Sequence, residues 1–202
     1  MAIHLHNAGK LTDEDLVRLT KDGNRSAFDE LVRRYEPKLS AFTRYICKNE
    51  DRAEETCQEA LIKAFEAIPK FRGQSSFTTW LHQIAKNLCW SKKRKDKNLR
   101  LESIESAAFG DKKPDHKDIV DWSNQPDKLL LKKELDQVLD NAILRLPQEY
   151  RAVITLRDIE ELSNEEVAQI LQLSIPAVKS RLHRARLFVR SELDIYFKGQ
   201  SA

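Results

Sequence analysis

Glu55, Gln58 and Glu59 stand at i, i+3 and i+4, which puts two carboxylates and an amide on one face of a helix. Asp51 and Glu54 extend that face upstream and Glu66 extends it downstream. Paired carboxylates are the material of acid–base catalysis, but that chemistry also needs a partner for the proton and a shaped site. The surrounding sequence offers no nearby histidine and no glycine-rich phosphate loop. The same helix carries the stripe Ala53, Cys57, Ala60, Leu61, Ala64 and Ile68, ended by Pro69, and the acids lie opposite it. On periodicity alone they read as a solvated surface. Nothing in the arrangement resembles a catalytic centre.

A second group suits nucleic acid. From Phe77 an apolar stripe runs through Trp80, Leu81, Ile84, Ala85 and Leu88. At about 100° per residue, Trp90 falls roughly opposite that stripe, beside Thr79, Gln83 and Lys86. Trp80, Gln83, Asn87 and Trp90 then form a polar–aromatic strip, followed directly by Lys92, Lys93, Arg94 and Lys95. Aromatic faces stack unpaired bases, amides bond their edges and lysines hold the backbone, so such a strip fits a single strand better than a duplex. Trp80 taken alone reads equally well as core.

The third group lies near the C-terminus. Ser163 followed by Glu166 is a capping box that opens a short helix burying Val167, Ile170 and Leu171. Leu173 and Ser174 make a turn, Ser174 caps a second short helix, and Pro176 is tolerated in its first turn. That helix repeats Val178, Leu182, Ala185 and Val189 on one side and shows Lys179, Ser180, Arg181, His183, Arg184 and Arg186 on the other. Helix, tight turn and basic helix fit a reader of the DNA major groove. The competing reading is a solvated basic face on a three-helix core, and the turn and cap favour DNA.

These groups need elements to hold them, and composition makes those elements helices. Gly 5 and Pro 6 in 202 residues leave few breakers, and hydrophobic residues at 41% allow only modest cores. No apolar run exceeds three residues, which excludes a membrane span, and the N-terminal stretch has no apolar segment of the kind a secretory signal requires. The stripe Phe28, Leu31, Val32, Tyr35, Leu39, Phe42, Tyr45 and Ile46 predicts one long helix, with a kink or break at Pro37. A further stripe, Leu131, Leu135, Val138, Leu139, Ala142 and Leu146, opens a second domain near Lys128, and Val153, Ile154, Leu156 and Ile159 suggest another helix. Between the two domains, Glu102 to Asp127 carries seven acids against three lysines. The expected fold is therefore all-α: two small helical domains, 11–95 and 128–196, joined by a flexible acidic linker, 96–127, with tails at 1–10 and 197–202.

Two stretches go further than composition. DRAEETCQEALIKAF followed by FRGQSSFTTWLHQIAKN resembles region 2 of the extracytoplasmic-function sigma factors, and LPQEYRAVITLRDIEELSNEEVAQILQLSIPAVKSRLHRARLFVRSEL resembles their region 4. Together they cover most of residues 11–195 in the family's order. The resemblance implies a specificity subunit of bacterial RNA polymerase that recognises two promoter elements and opens DNA at the −10 element, and it implies no cofactor and no metal. It implies that Asp51, Glu54, Glu55, Gln58 and Glu59 dock on the polymerase clamp helices. It implies that the loop from Phe71 to Phe77, with Gly73, Ser75 and Ser76, receives a base flipped from the −10 strand with Asn87 beside it, helped by Trp80, Gln83, Trp90, Lys93 and Arg94. It implies that Pro176, Lys179, Ser180, Arg181, His183 and Arg184 read the duplex −35 element. Partners implied are core polymerase, promoter DNA and an anti-sigma factor that masks both DNA faces. The linker would either thread polymerase channels, its acids standing in for nucleic acid, or serve as a plain solvated tether.

Three departures from the family pattern stand out. Glu161 occupies a position usually held by glycine, which costs about 1 kcal/mol if the backbone there is left-handed. Thr56 and Cys57 replace larger aliphatics, and His183 leaves the promoter sequence open. The cysteines, Cys47, Cys57 and Cys89, are odd in number with no CxxC spacing, which argues against a disulfide framework or zinc module and for a cytoplasmic location. They read as core residues, with a redox role for Cys57 or Cys89 as the minor alternative. The chain is expected to be no enzyme. The rival to the sigma reading is a helix-turn-helix regulator that binds duplex DNA and recruits nothing.

Overall fold

The computed structural model describes residues 11–99 and 128–200, and the expected N-terminal tail and nearly all of the expected linker lie outside them. Eight α-helices are found among the described residues: α1 (Asp13–Lys21), α2 (Arg25–Cys47), α3 (Glu50–Ala67), α4 (Phe77–Leu99), α5 (Lys128–Arg145), α6 (Gln148–Ile154), α7 (Asn164–Leu171) and α8 (Ile175–Gln200). The first four make one lobe and the last four another. α4 runs four residues past the expected start of the linker, because 96–99 contain no proline or glycine to stop it. α8 likewise continues through the expected C-terminal tail to Gln200, so the second helix of the turn motif is long, not short.

Side-chain oxygens cap the starts of the first three helices: Thr12, Asn24 and Asn49 accept from the amides of Asp15, Ala27 and Arg52. Pro37 does not break α2. It lies on the exposed side, where the carbonyl it leaves without a donor can bond to water. Leu31, Leu39 and Phe42 of α2 are fully buried against Ala60 and Ala64 of α3, whose small side chains let the two axes approach, and against Leu81 and Ala85 of α4. His82 is also fully buried there, edge-on to Phe42 at 5.3 Å, with Nδ1 2.9 Å from the Thr78 carbonyl. Burial holds its pKa down to about 4, so the ring stays neutral. At the rim, Glu30 takes both Arg33 and Arg34, and these bonds hold its carboxyl down to about 2.

In the second lobe, Leu146, Val153, Leu156, Val167, Ile170, Val178 and Ala185 form the interior. α6 leads without interruption into a π-turn at Thr155–Ile159. Leu135 and Leu139 of the expected α5 stripe are exposed instead, and that helix buries Ala142 and Ile143, with Leu146 buried just past its end. Its main neighbour is α8, so the stripe is covered only where α6 also closes in.

The lobes touch each other. Arg151, 3% exposed, donates to the carbonyls of Leu144 and Leu146 in its own lobe and, at 3.4 Å, to that of Ile46 in the other. The Tyr45 hydroxyl donates to Asp140, and Arg44 lies 3.8 Å from the same carboxylate. α4 packs directly on α7.

Candidate nucleic-acid and protein interfaces

The turn motif is built by caps at both helices. Ser163 Oγ accepts from the Glu166 amide while a Glu166 carboxylate oxygen accepts from the Ser163 amide, completing the capping box. Glu161 precedes it with φ 58, the left-handed conformation that glycine would take without strain. Gln172, also left-handed at φ 57, ends α7, and Ser174 Oγ accepts from the Ala177 amide to start α8. Val178, Leu182, Ala185 and Val189 face inward, as their spacing predicts.

On the outer side of α8, Pro176, Lys179, Ser180, His183 and Arg184 are exposed and share one surface. Arg186 is committed elsewhere: two of its nitrogens bind the Asp158 carboxylate at 2.9 and 2.6 Å. Arg181 is half-buried and turns toward the first lobe.

The polar–aromatic strip of α4 is present but partly covered: Trp80, Gln83 and Trp90 are half-buried and Asn87 is exposed. Gln83 Nε2 donates to the Gln169 carbonyl at 3.1 Å, and Lys86 Nζ reaches Gln172 Oε1 at 3.5 Å. Asn87, Trp90 and Arg94 line a cleft of about 380 Å³ between the lobes, opposite Leu171, Gln172 and Arg181. Thr79 and Lys86, read from sequence as exposed beside the strip, are buried by the same packing. Lys93 is exposed just beyond.

Trp80 belongs to a different group. It lies 4.7 Å from Phe71 at an interplanar angle of 35°, and 5.8 Å from Phe77, which in turn meets Tyr35 at 5.4 Å. Phe71, Gly73, Ser75 and Phe77 line a cleft of about 260 Å³ against α1. Gly73 adopts φ 68, with open space where a side chain would project. Lys21 Nζ, at 2.5 Å from the Phe71 carbonyl, ties the loop to α1. Ser76 is a cap: its Oγ accepts from the Thr79 amide at 3.1 Å. Asn87 is not beside this loop. Ten residues along a helix from Phe77 put it about 15 Å away, in the inter-lobe cleft.

On α3, Asp51, Glu54, Glu55 and Gln58 are exposed and Glu59 half-exposed, in one band. Lys92 of α4 spans two of them, with Nζ 3.1 Å from both Glu55 and Glu59. Sequence had placed Lys92 in the DNA-facing basic run, but it points the other way. Ile62, 60% exposed, and Phe65, 40% exposed, continue the band with apolar surface. They were missed because they fall outside the helix's apolar stripe, and Phe65 keeps one face on Phe28, with ring centroids 4.9 Å apart.

No group of three or more metal-ligating side chains occurs among the described residues, and none of their helices is long and apolar enough to cross a membrane.

Comparison with known proteins covers both lobes. The family profile described as Sigma-70 region 2 matches residues 31–98, and that described as Sigma-70, region 4 matches residues 136–189. An ECF RNA polymerase sigma-E factor of Haemophilus influenzae is 34% identical over 194 residues, 93% of this chain and 98% of that protein. The protein of the same description from Escherichia coli K12 is 36% identical over 182 residues, 88% of this chain and 92% of that one. Among solved structures, the sigma factor RpoE in complex with the anti-sigma factor NepR from Bartonella quintana aligns with a TM-score of 0.63 at 26% identity, covering 83% of this chain and 97% of that one. CnrH in complex with the cytosolic domain of CnrY aligns with a TM-score of 0.65 at 24% identity, over 91% of this chain and 97% of that one, a likeness of fold.

Proposed function

Because the chain belongs to the extracytoplasmic-function sigma factors of the sigma-70 family, we propose that it directs core RNA polymerase to a distinct set of promoters and nucleates opening at their −10 elements. The observation that carries this reading is the pairing of two unlike DNA surfaces on separate lobes: a basic recognition helix for duplex and a polar–aromatic strip for an unpaired strand. A regulator of duplex DNA needs only the first.

In this reading, Lys179, Ser180, His183 and Arg184 enter the major groove of the −35 element, with Pro176 at the helix start. Guanine O6 and N7 and the phosphates are their natural acceptors. Arg181 joins them once the lobes part. Gln83, Asn87 and Trp90 hold the melted −10 strand, with Lys93 and Arg94 on its backbone, and the cleft lined by Phe71, Gly73, Ser75 and Phe77 receives the flipped base. Stacking there offsets part of the few kcal/mol that unstacking costs. Trp80 supports the cleft by packing on Phe71. Asp51, Glu54, Glu55, Gln58 and Glu59 dock on the polymerase clamp, and Ile62 and Phe65 add apolar contact.

The protein acts as an initiation factor in the cytoplasm, where polymerase is, and performs no chemistry of its own. An anti-sigma protein is a further partner: it would hold the lobes in the closed state in which the strip is partly covered. Transcription in vitro with bacterial core polymerase on fragmented genomic DNA tests the reading. Discrete new 5′ ends sharing two spaced upstream motifs are expected. No binding to core at all would overturn it in favour of a duplex-binding regulator.

A further inference from the structure

Cys47 is the last residue of α2, and Cys89 lies on α4, 42 residues later. Their sulfurs are 3.2 Å apart across the first lobe. A disulfide has its sulfurs about 2.05 Å apart, so bonding asks for an approach of about 1.2 Å, within the reach of side-chain rotation. The two thiols differ in a way that suits a stepwise reaction. Cys47 is partly exposed, whereas Cys89 is 4% exposed and waits behind it. The hydrogen bond from Cys89, the Thr56 hydroxyl at 3.8 Å and the cations of Lys92 and Arg52 all favour the Cys47 thiolate, while Cys89 is held as the thiol. Cys57 is a different case. It is 5% exposed, and burial pushes its thiol up to about 11, so it stays inert.

We propose that Cys47 and Cys89 form an oxidisable dithiol whose oxidant is a small hydroperoxide and whose product is a disulfide joining the end of α2 to α4. The Cys47 thiolate attacks one peroxide oxygen, the O–O bond breaks, and the leaving oxygen takes a proton to depart as water, or as an alcohol from an organic peroxide. Cys47 is then a sulfenic acid. The Cys89 sulfur attacks the Cys47 sulfur, the S–O bond breaks, and a second water leaves carrying the Cys89 proton. Two electrons pass from the thiol pair to the peroxide. A dithiol reductant returns them by exchange through a mixed disulfide. In a reducing compartment the bond would be transient, as expected of a sensor and not of a structural bridge. Its place gives it a consequence, because Cys89 immediately precedes Trp90, so the oxidised protein pins the turn of α4 that carries that indole.

The test is to expose the native full chain to a small excess of hydrogen peroxide, then quench and alkylate in denaturant and map peptides without reduction. The expected result is a Cys47–Cys89 linked peptide lacking two hydrogen atoms, Cys57 fully alkylated, and complete reversal by dithiothreitol. In Cys89→Ala the resolving thiol is gone, and Cys47 should be trapped as sulfenic acid by dimedone. Oxidation should raise the melting temperature and reduction restore it. A link through Cys57, a link between chains, an unreactive Cys47 in folded protein, or a melting temperature lowered by the bond would overturn the proposal.

Discussion

Gln83 Nε2 donates to the main-chain oxygen of Gln169 at 3.1 Å, so a side chain suited to an unpaired base is engaged instead with the first helix of the DNA-reading motif. The two lobes thereby occupy each other's approach. Several bonds between the described parts of the lobes are long, such as 3.4 Å from Arg151 to Ile46 and 3.5 Å from Lys86 to Gln172, whereas Arg151 keeps shorter bonds within its own lobe. Such a seam opens without orphaning the buried guanidinium.

Loosening the seam should therefore expose the strip. Asp140→Ala removes the acceptor of Tyr45 and the partner of Arg44, both in the other lobe. With a hydrogen bond worth about 1 kcal/mol, binding to forked DNA should tighten about fivefold, measured by fluorescence anisotropy. Unchanged affinity would mean that closure does not compete with DNA.

Trp90→Ala should act selectively on unpaired DNA. Stacking contributes about 1–3 kcal/mol per base, so binding to single-stranded or forked −10 DNA should fall about tenfold or more while duplex binding holds. Equal losses on all three substrates would count against the strip as a reader of melted strand.

Reversing charge on α3 should separate polymerase binding from folding. Glu54 and Glu55 are exposed, so the pair Glu54→Lys with Glu55→Lys should lower the melting temperature only slightly, through loss of the exposed Glu55–Lys92 pair. Affinity for core polymerase should drop at least about tenfold, as for charges facing a complementary surface. Retained affinity in a competition assay would remove these acids from the docking face.

Glu160 gives the structure a dependence on pH. It is 6% exposed, Oε2 has no hydrogen-bond partner, and burial raises its pKa from 4.5 to about 7 against the opposing pull of Lys38. The folded protein holds this proton more tightly than the unfolded chain. Its contribution is therefore most favourable below pH 4.5, declines as pH rises through 7, and leaves a full penalty above. Glu160→Gln should stabilise by about 2–3 kcal/mol at pH 8 and by much less at pH 5, read from urea melts at both. Equal gains at the two pH values would show that the carboxyl is already charged in the fold.

Glu161 is strained at φ 58 and exposed. Glu161→Gly removes about 1 kcal/mol of left-handed strain and gives back part of it through a freer unfolded chain. A net rise of about 0.5 kcal/mol is expected, and a fall in stability would mean that the Glu161 side chain makes a contact of its own.

Local signals were readable from sequence and distant ones were not. The capping box of Ser163 and Glu166 and the inward spacing of Val178, Leu182, Ala185 and Val189 each depend on neighbours within one or two turns, whereas the strain at Glu161 was anticipated only from the family resemblance. Pro37 does not break α2 because its effect depends on which side of the helix faces water, and that side was not legible from one stripe. Gln172 carried no composition signal for a left-handed cap. The cover over Gln83 and Trp90, the burial of Arg151 and the orientation of Lys92 all rest on residues far along the chain, where helical period says nothing. Asn87 was placed beside the Phe71–Phe77 loop by analogy, and helix rise alone separates them.

Lys92 has a consequence for the order of events. Its ammonium occupies Glu55 and Glu59, so a basic surface arriving at those acids must exchange with a cation already seated there. Docking on polymerase would therefore carry the cost of that exchange, so a weakly basic surface gains less from these acids than their number suggests. A single lysine serves as the counterion of the surface until a larger partner arrives.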